Sequence, residues 1–485
     1  MRSLSSLLVL VCSRLSAIGQ RPFCFCTIVC IGFCLWSVRP RCAAHWRRPH
    51  RRPTGQDGSI MPLAELACLR RVSLQERTHK VMSTLVHTQG NLVAPAAKGG
   101  SHPLRLSFLI NSMEGGGAER AMANLLGHLE SPLAGCDVEL VLLDDVEIKQ
   151  ALPDWVRVVT LDGGGSLLRS SVKVVKYVMR RRPDVMVSYL ARANCLNVVT
   201  RLFSGHRAII SERVQTSSHL STSRARKIFE VMTKLTYPRA HKVIAVSQGV
   251  ADDLADNFGV PRDRLTVIGN PIDAAALSRA ASEPPAVALP EDYILAVGRM
   301  VPNKNFHMLL TGYAKAAPEP DLVILGDGPL RAELVALVDE LGLTGRVHMP
   351  GFVDNPYPVM RGAQWLVSCS NAEGFPNTII EALSLGTAVI ATDCPAGPAE
   401  VLRGHADPDS PVTKNAQDGL LIPMEDPDRL AEAMAVFGDA DRRADYAARA
   451  KARSTAFGVE SVVQAYVDLI FAGQSVPAPH KGSIA

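Results

Sequence analysis

A doubly wound α/β architecture, built twice in succession, is the fold class that this 485-residue sequence predicts. Three observations carry it. Short, wholly apolar strand runs alternate with helical stretches, which is the pattern of a parallel sheet covered on both faces. That alternation stops at Asn270-Pro271 and resumes at Tyr293, across the Pro- and Ala-rich stretch ASEPPAVALPED (281–292). The length exceeds what one ordinary core accommodates, so two domains are expected.

The first hundred residues stand apart. They hold seven of the eleven cysteines (Cys12, Cys24, Cys26, Cys30, Cys34, Cys42 and Cys68). They also carry 14 Lys/Arg against 3 Asp/Glu, a local charge of +11 in a chain whose formal net charge is +5. The run FCFCTIVCIGFCLWSV (23–38) is uncharged and is followed by Arg39, Arg41, Arg47, Arg48, Arg51 and Arg52. Three readings of residues 1–100 stay open. They form a short membrane anchor, or a targeting segment, or a disordered extension upstream of a start at Met61 or Met82.

The first domain is expected over 103–272. Its strands read RLSFLI (105–110), DVELVLL (137–143), DVMVSYL (184–190), RAIIS (207–211), KVIAVS (242–247) and RLTVIG (264–269). Met122, Leu125, Leu126 and Leu129 recur at helical spacing after Gly117. The second domain is expected over 290–456. Its strands read YILAVG (293–298), DLVILG (321–326), RVHM (346–349), QWLVSCS (364–370), TAVIAT (387–392) and GLLIP (419–423). A last apolar helix within 457–473 is expected to pack back on the first domain, with a polar tail after it. Cys136, Cys195, Cys369 and Cys394 sit singly in apolar contexts and read as reduced core thiols.

Ligands of open parallel sheets bind beyond the carboxyl ends of the strands, so two such domains make a cleft. The strand-end turns are therefore where chemistry is sought. In NAEGFPNTIIEALSLG (371–386), Pro376 suits a helix start and Gly386 its end. Glu373 then lies in the loop at a strand end, and Glu381 lies more than a turn inside the helix. A carboxylate before the helix accepts hydrogen bonds from sugar hydroxyls. One deeper along it takes the two hydroxyls of a ribose. The helix start itself is an anion site. The same spacing also fits an ordinary strand–loop–helix with solvated glutamates.

GRMVPNKNF (298–306) supplies Arg299 and Lys304, two cations suited to a diphosphate leaving group. GDGPL (326–330) is a third strand-end turn, with Gly326 a candidate for backbone access to a nucleotide. NSMEGGGAER (111–120) lets backbone approach a ligand at another helix start, yet it is not the GxGxxG of nicotinamide dinucleotide sites.

These motifs together resemble the retaining glycosyltransferases of family 4, with the two-domain GT-B fold. GGGAER (115–120), VIGNPID (267–273), GRMVPNKNF (298–306), LGDGPL (325–330) and EGFPNTIIEALSLGTAVIATDCPAGPAE (373–400) carry the resemblance, over about residues 104–473. It implies that Glu373 meets the sugar hydroxyls, Glu381 the ribose, and Arg299 and Lys304 the diphosphate. Backbone of Gly374, Phe375, Asn377 and Thr378 lines the same pocket, and Gly116 and Gly117 lie near the diphosphate and acceptor. No metal is expected; DPD at 407–409 and 426–428 reads as turns or caps.

Family members often carry a first-domain histidine near the sugar; SYLARANCLN (188–197) has none, and Arg192 or Asn194 takes its place. A narrower resemblance, through NSMEGGGAER, ISER (210–213) and DCPAGPAE (393–400), is to members that extend saccharides on polyprenyl diphosphate. Val214 and Ala399 depart from that pattern.

The implied reaction moves a hexose or N-acetylhexosamine from a nucleotide-diphosphate sugar, UDP before GDP, to a polyprenyl-diphosphate-linked acceptor. Alternatives are a soluble acceptor, an epimerase, or a non-catalytic sugar-nucleotide binder. The first domain is basic, with KVVKYVMRRR (173–182) and STSRARKIFEVMTKL (221–235) mixing cations and apolar residues, whereas 271–485 carries −11. The expected partner is the inner membrane face, with a cytoplasmic, peripheral location, and no nucleic acid.

Overall fold

The computed structural model describes residues 103–221, 226–404 and 417–472. The readings made for residues 1–100, for the 407–409 turn and for the polar tail lie outside the described residues. Two parallel sheets carry the fold, both within one compact unit.

The first sheet contains β1 (Arg105–Ile110), β2 (Asp137–Leu142), β3 (Arg157–Thr160), β4 (Val185–Tyr189), β5 (Arg207–Glu212), β6 (Lys242–Ala245) and β7 (Leu265–Val267), in the order β3-β2-β1-β4-β5-β6-β7. The second contains β8 (Tyr293–Val297), β9 (Asp321–Leu325), β10 (Val347–Gly351), β11 (Trp365–Ser368), β12 (Ala388–Thr392) and β13 (Leu420–Ile422), in the order β10-β9-β8-β11-β12-β13. Strand order reverses between β1 and β4 and again between β8 and β11. Those are the switch points where a crevice opens above each sheet.

The sequence runs anticipate these strands within a few residues, except β3. Its RVVT is mostly exposed at a sheet edge, so it lacks the continuous apolar signature of its neighbours.

Side-chain alternation explains the layers. In β1, Leu106, Phe108 and Ile110 face a core completed by Met122, Leu125 and Leu126 of the helix Gly117–His128. Leu109 faces the opposite core, with Val174 and Val178 of the helix Leu167–Arg181. Each fully buried Leu or Phe contributes about 1.5–3 kcal/mol. In the second sheet, Leu295, Leu366 and Val389 pack against Ile379, Ile380 and Leu383, which seats the helix Asn377–Leu385 firmly. Cys195, Cys369 and Cys394 are buried and unpaired, and burial pushes their thiols up to about 12.

The terminal helix Val459–Phe471 inserts Val462, Val463, Tyr466 and Ile470 into the first domain's core. Tyr466 and Tyr189 hydroxyls meet at 2.6 Å. The chain therefore crosses between the domains twice. The two crossings pair where Ile272 N–H donates to the Phe457 carbonyl at 3.3 Å.

Candidate active site

The strand-end turns after β8 and β11 are laced together. Asn371 N–H donates to the Asn303 carbonyl at 2.8 Å, and Asn303 Nδ2 donates to the Ala372 carbonyl at 2.8 Å. Asn305, in left-handed backbone, donates Nδ2 to Asn371 Oδ1 at 3.1 Å and caps the following helix through Oδ1. This lacing brings Lys304 Nζ to 2.5 Å from Glu373 Oε1, both side chains mostly buried. Arg299 lies exposed on the same turn. A cation held by a carboxylate at two adjacent strand ends can grip a diphosphate while the carboxylate keeps oxygens for hydroxyl groups.

Gly326 has a different reason to be glycine than access to a nucleotide. A Cβ there would fall 2.0 Å from the Gly298 carbonyl oxygen, and its φ is +134°. Gly328 is likewise pressed on Met300. The GDG turn is thus the buttress under the turn that carries Arg299 and Lys304.

Glu381 is 4% exposed, the fifth residue of the helix Asn377–Leu385. Its partners are Arg120 Nη1 at 3.6 Å and the Tyr357 hydroxyl at 3.4 Å. Burial pushes its carboxyl above the usual range, against the pull of Arg120 and Tyr357. Both contacts are long, so the carboxylate is sequestered without being tightly satisfied. Arg120 belongs to the first domain's GGGAER motif, so this ion pair spans the cleft.

More of the second domain's glutamate loop rests on the first domain. Gly374 packs against backbone: a Cβ would lie 2.2 Å from the Arg213 carbonyl oxygen. Ser247 Oγ donates to the Gly374 carbonyl at 2.8 Å. Asn377 Oδ1 accepts from Asn270 Nδ2, and its Nδ2 faces Gly117. The Asn377 N–H is spent on the Phe375 carbonyl at 3.0 Å. Phe375 does not face open space; its ring wedges against Gly269 and meets Phe457 edge-on at 5.9 Å. Thr378, half-buried, begins the next turn. Glu400 reaches over as well, accepting from the amides of Gln248 at 2.7 Å and Gly249 at 2.8 Å.

In the first domain, Gly116 and Gly117 are exposed at the start of the helix Gly117–His128. The Glu119 carboxylate folds back onto the Gly116 and Glu119 amides, so this helix start already holds an anion of its own. Burial, with Glu114 nearby, raises the Glu119 carboxyl despite those amides. Asn194 is wholly buried, accepting from Ser188 Oγ at 2.8 Å and donating to the Ser211 carbonyl at 2.9 Å. Arg192 is committed to Asp144 and to Asn111 Oδ1 at 3.4 Å. Both are therefore engaged within their own domain.

The structure brings Glu373 and Lys304 together with Arg299 on the same turn as Lys304, sets Gly374, Phe375 and Asn377 on the first domain, and places Glu381 against Arg120. Arg120, Arg213, Ser247, Asn270 and Glu400 are participants that sequence reasoning did not single out. The charged dipeptide Glu212-Arg213 closing an apolar strand was the signal available for Arg213.

The chain is similar in sequence and fold to known proteins. Residues 291–437 match the family described as "Glycosyl transferases group 1", and residues 115–276 match "Glycosyltransferase Family 4". The chain is 28% identical over 366 residues to the Campylobacter jejuni N-acetylgalactosamine-N,N'-diacetylbacillosaminyl-diphospho-undecaprenol 4-alpha-N-acetylgalactosaminyltransferase, covering 73% of this chain and 95% of that protein. A second C. jejuni enzyme, the GalNAc-alpha-(1->4)-GalNAc-alpha-(1->3)-diNAcBac-PP-undecaprenol alpha-1,4-N-acetyl-D-galactosaminyltransferase, is 25% identical over 384 residues, covering 76% and 98%. The crystal structure of Anabaena HepE in complex with UDP aligns with a TM-score of 0.61 at 21% identity, covering 76% of this chain and 99% of that one, a likeness of fold.

Proposed function

The chain belongs to the glycosyltransferases with the GT-B fold, and from that premise we propose a specific reaction for it. It moves a hexose or N-acetylhexosamine from a UDP-sugar to a lipid-linked saccharide during cell-surface glycan assembly, with retention at the anomeric carbon. The carrying observation is the Lys304–Glu373 pair beside a cross-cleft Arg120–Glu381 pair.

In this reading Lys304 and Arg299 bind the donor diphosphate, whose negative charge grows as it leaves. Glu373 orients Lys304 and accepts from hydroxyls of the transferred sugar. Glu381 exchanges Arg120 for the ribose hydroxyls. The bond between the anomeric carbon and the β-phosphate oxygen breaks, and its electron pair stays with the phosphate. The acceptor oxygen bonds to the same face of that carbon, and its proton passes to the departing phosphate. The diphosphate charge is met by side chains, so the reading includes no metal requirement.

The acceptor class rests on the two C. jejuni relatives, both named for undecaprenyl-linked substrates. It gains physical support from the first domain's surface. The helix Leu167–Arg181 exposes Met179 beside Lys176 and Arg180, and the helix Arg226–Thr236 exposes Val231 beside Lys227 and Lys234. Cations interleaved with exposed apolar side chains suit an anionic lipid surface. No helix among the described residues is long and apolar enough to cross a membrane.

The test is product stereochemistry. An α-linked UDP-sugar and an undecaprenyl-diphosphate-linked saccharide are expected to give an α-linked product by NMR. A β-linked product would refute retention, and transfer only to soluble sugars would refute the acceptor.

A further inference from the structure

Arg213 is a buried guanidinium that the protein itself does not satisfy. It is 7% exposed at the carboxyl end of β5. Its Nη1 donates to Ser211 Oγ at 3.1 Å, and its Cζ sits 4.6 Å from the centroid of the Tyr189 ring. Nε and Nη2 meet no hydrogen-bond partner among the described residues. The adjacent Glu212 attracts it without accepting a hydrogen bond from the guanidinium. That carboxylate takes the Tyr237 hydroxyl at 2.6 Å and the backbone N–H of Arg213 at 3.1 Å. Buried N–H groups of a charged side chain left without acceptors are costly for a fold to keep.

Its position says what it serves. The Arg213 carbonyl lies against Gly374, next to Glu373 and through it Lys304. Asn270, on the same seam, keeps a buried Oδ1 without a partner while its Nδ2 holds Asn377. Arg213 and Asn270 thus each keep unpartnered polar atoms and each contact the glutamate-loop segment across the seam.

We propose that Arg213 is the first domain's phosphate contact, pairing Nε and Nη2 with the diphosphate of the nucleotide-sugar donor. The inference rests on the proposed reaction and deepens it. The guanidinium fork matches two phosphate oxygens, and it would add a first-domain contact to a leaving group gripped by Lys304 and Arg299. The acceptor class carries a diphosphate too. The donor is preferred because Arg213 touches the donor loop's own backbone.

The experiment is equilibrium binding of UDP, GDP and uridine to the full chain and to Arg213→Met and Arg213→Lys, with Tm measured alongside. The wild type is expected to bind a nucleoside diphosphate far more tightly than uridine. Arg213→Met is expected to lose about 10- to 100-fold for the diphosphate, the worth of a charge-assisted pair, and nothing for uridine. Arg213→Lys is expected to recover part of that loss. Tm without ligand should stay level or rise in Arg213→Met, because two buried N–H groups without acceptors are gone; a structural arginine would lower it.

Unchanged diphosphate binding in Arg213→Met would overturn the inference, and so would equal losses for uridine and diphosphate. Unchanged donor binding with a raised acceptor KM would move the contact to the acceptor. A wild type that binds no nucleoside diphosphate would overturn the proposed reaction instead.

Discussion

Replacing Glu381 with glutamine isolates the residue read as the ribose contact. The side chain keeps its shape and one acceptor oxygen but loses its charge. Hydrogen bonds to a charged group contribute about 1.5–3 kcal/mol each, against about 0.5–1.5 for neutral ones. Exchanging two of the former for one of the latter removes roughly 2–4 kcal/mol of donor binding. The wild type must first give up Arg120 at 3.6 Å, a partly exposed pair worth up to about 1 kcal/mol. The net is about 1.5–3 kcal/mol, or a donor KM raised about 10- to 100-fold.

Ribose is held alike in the ground and transition states, so kcat should change little. The assay is steady-state kinetics with varied donor at saturating acceptor. A kcat collapse at unchanged KM would refute the ribose assignment. Stability supplies a second readout. Burial raises the folded carboxyl of Glu381, so its contribution is full below the unfolded value of 4.5 and is lost as pH rises through the folded value. Chemical denaturation should show Glu381→Gln gaining on the wild type as pH increases from 4.5 toward neutrality. A constant difference across that window would contradict the reading.

Three further outcomes follow from the same geometry. Gly374→Ala places a Cβ 2.2 Å from the Arg213 carbonyl oxygen, so the loop or the cleft must shift by about 1 Å. Turnover should fall about 100-fold with Tm lowered only modestly, and retained activity would mean that the seam opens during catalysis. Because Lys304 and Arg299 meet the diphosphate charge, exhaustive EDTA treatment should leave turnover unchanged. A loss restored by Mg2+ would contradict the reading. Vesicles rich in phosphatidylglycerol should co-sediment the protein at low salt and release it at high salt, with each basic side chain near the surface contributing about 1 kcal/mol. Binding that ignores salt or lipid charge would argue against the basic helices.

The sheets were legible because their strands are buried on both faces. Leu106 to Ile110 and Leu322 to Leu325 announce themselves as apolar runs. β3 was not, since an edge strand with one half-buried residue carries no such run. The helix holding Glu381 was legible from its terminators: Gly386 caps it at φ +76°, although Pro376 precedes the first helical residue and does not occupy it.

What sequence spacing could not supply was adjacency across the molecule. Lys304 meets Glu373 because β8 and β11 are neighbours, a consequence of crossover order. Arg120 meets Glu381, and Glu400 meets Gln248, only because the domains face each other. Glycines carried a signal that spacing could not resolve. Gly326 and Gly374 were candidates for backbone contact with a ligand, and the structure adds a packing reason for each, since a Cβ would meet another backbone segment. The capping of the Gly117 helix by Glu119 was readable in principle, as a glutamate three residues after the cap position.

The most direct test is nucleoside-diphosphate release from a panel of UDP- and GDP-sugars, with and without a bacterial lipid extract, using Glu373→Ala as the blank. Release from one UDP-sugar, dependent on lipid and absent in the variant, is the predicted result. No release with any donor, from a protein that still binds nucleotide, would contradict the transferase reading.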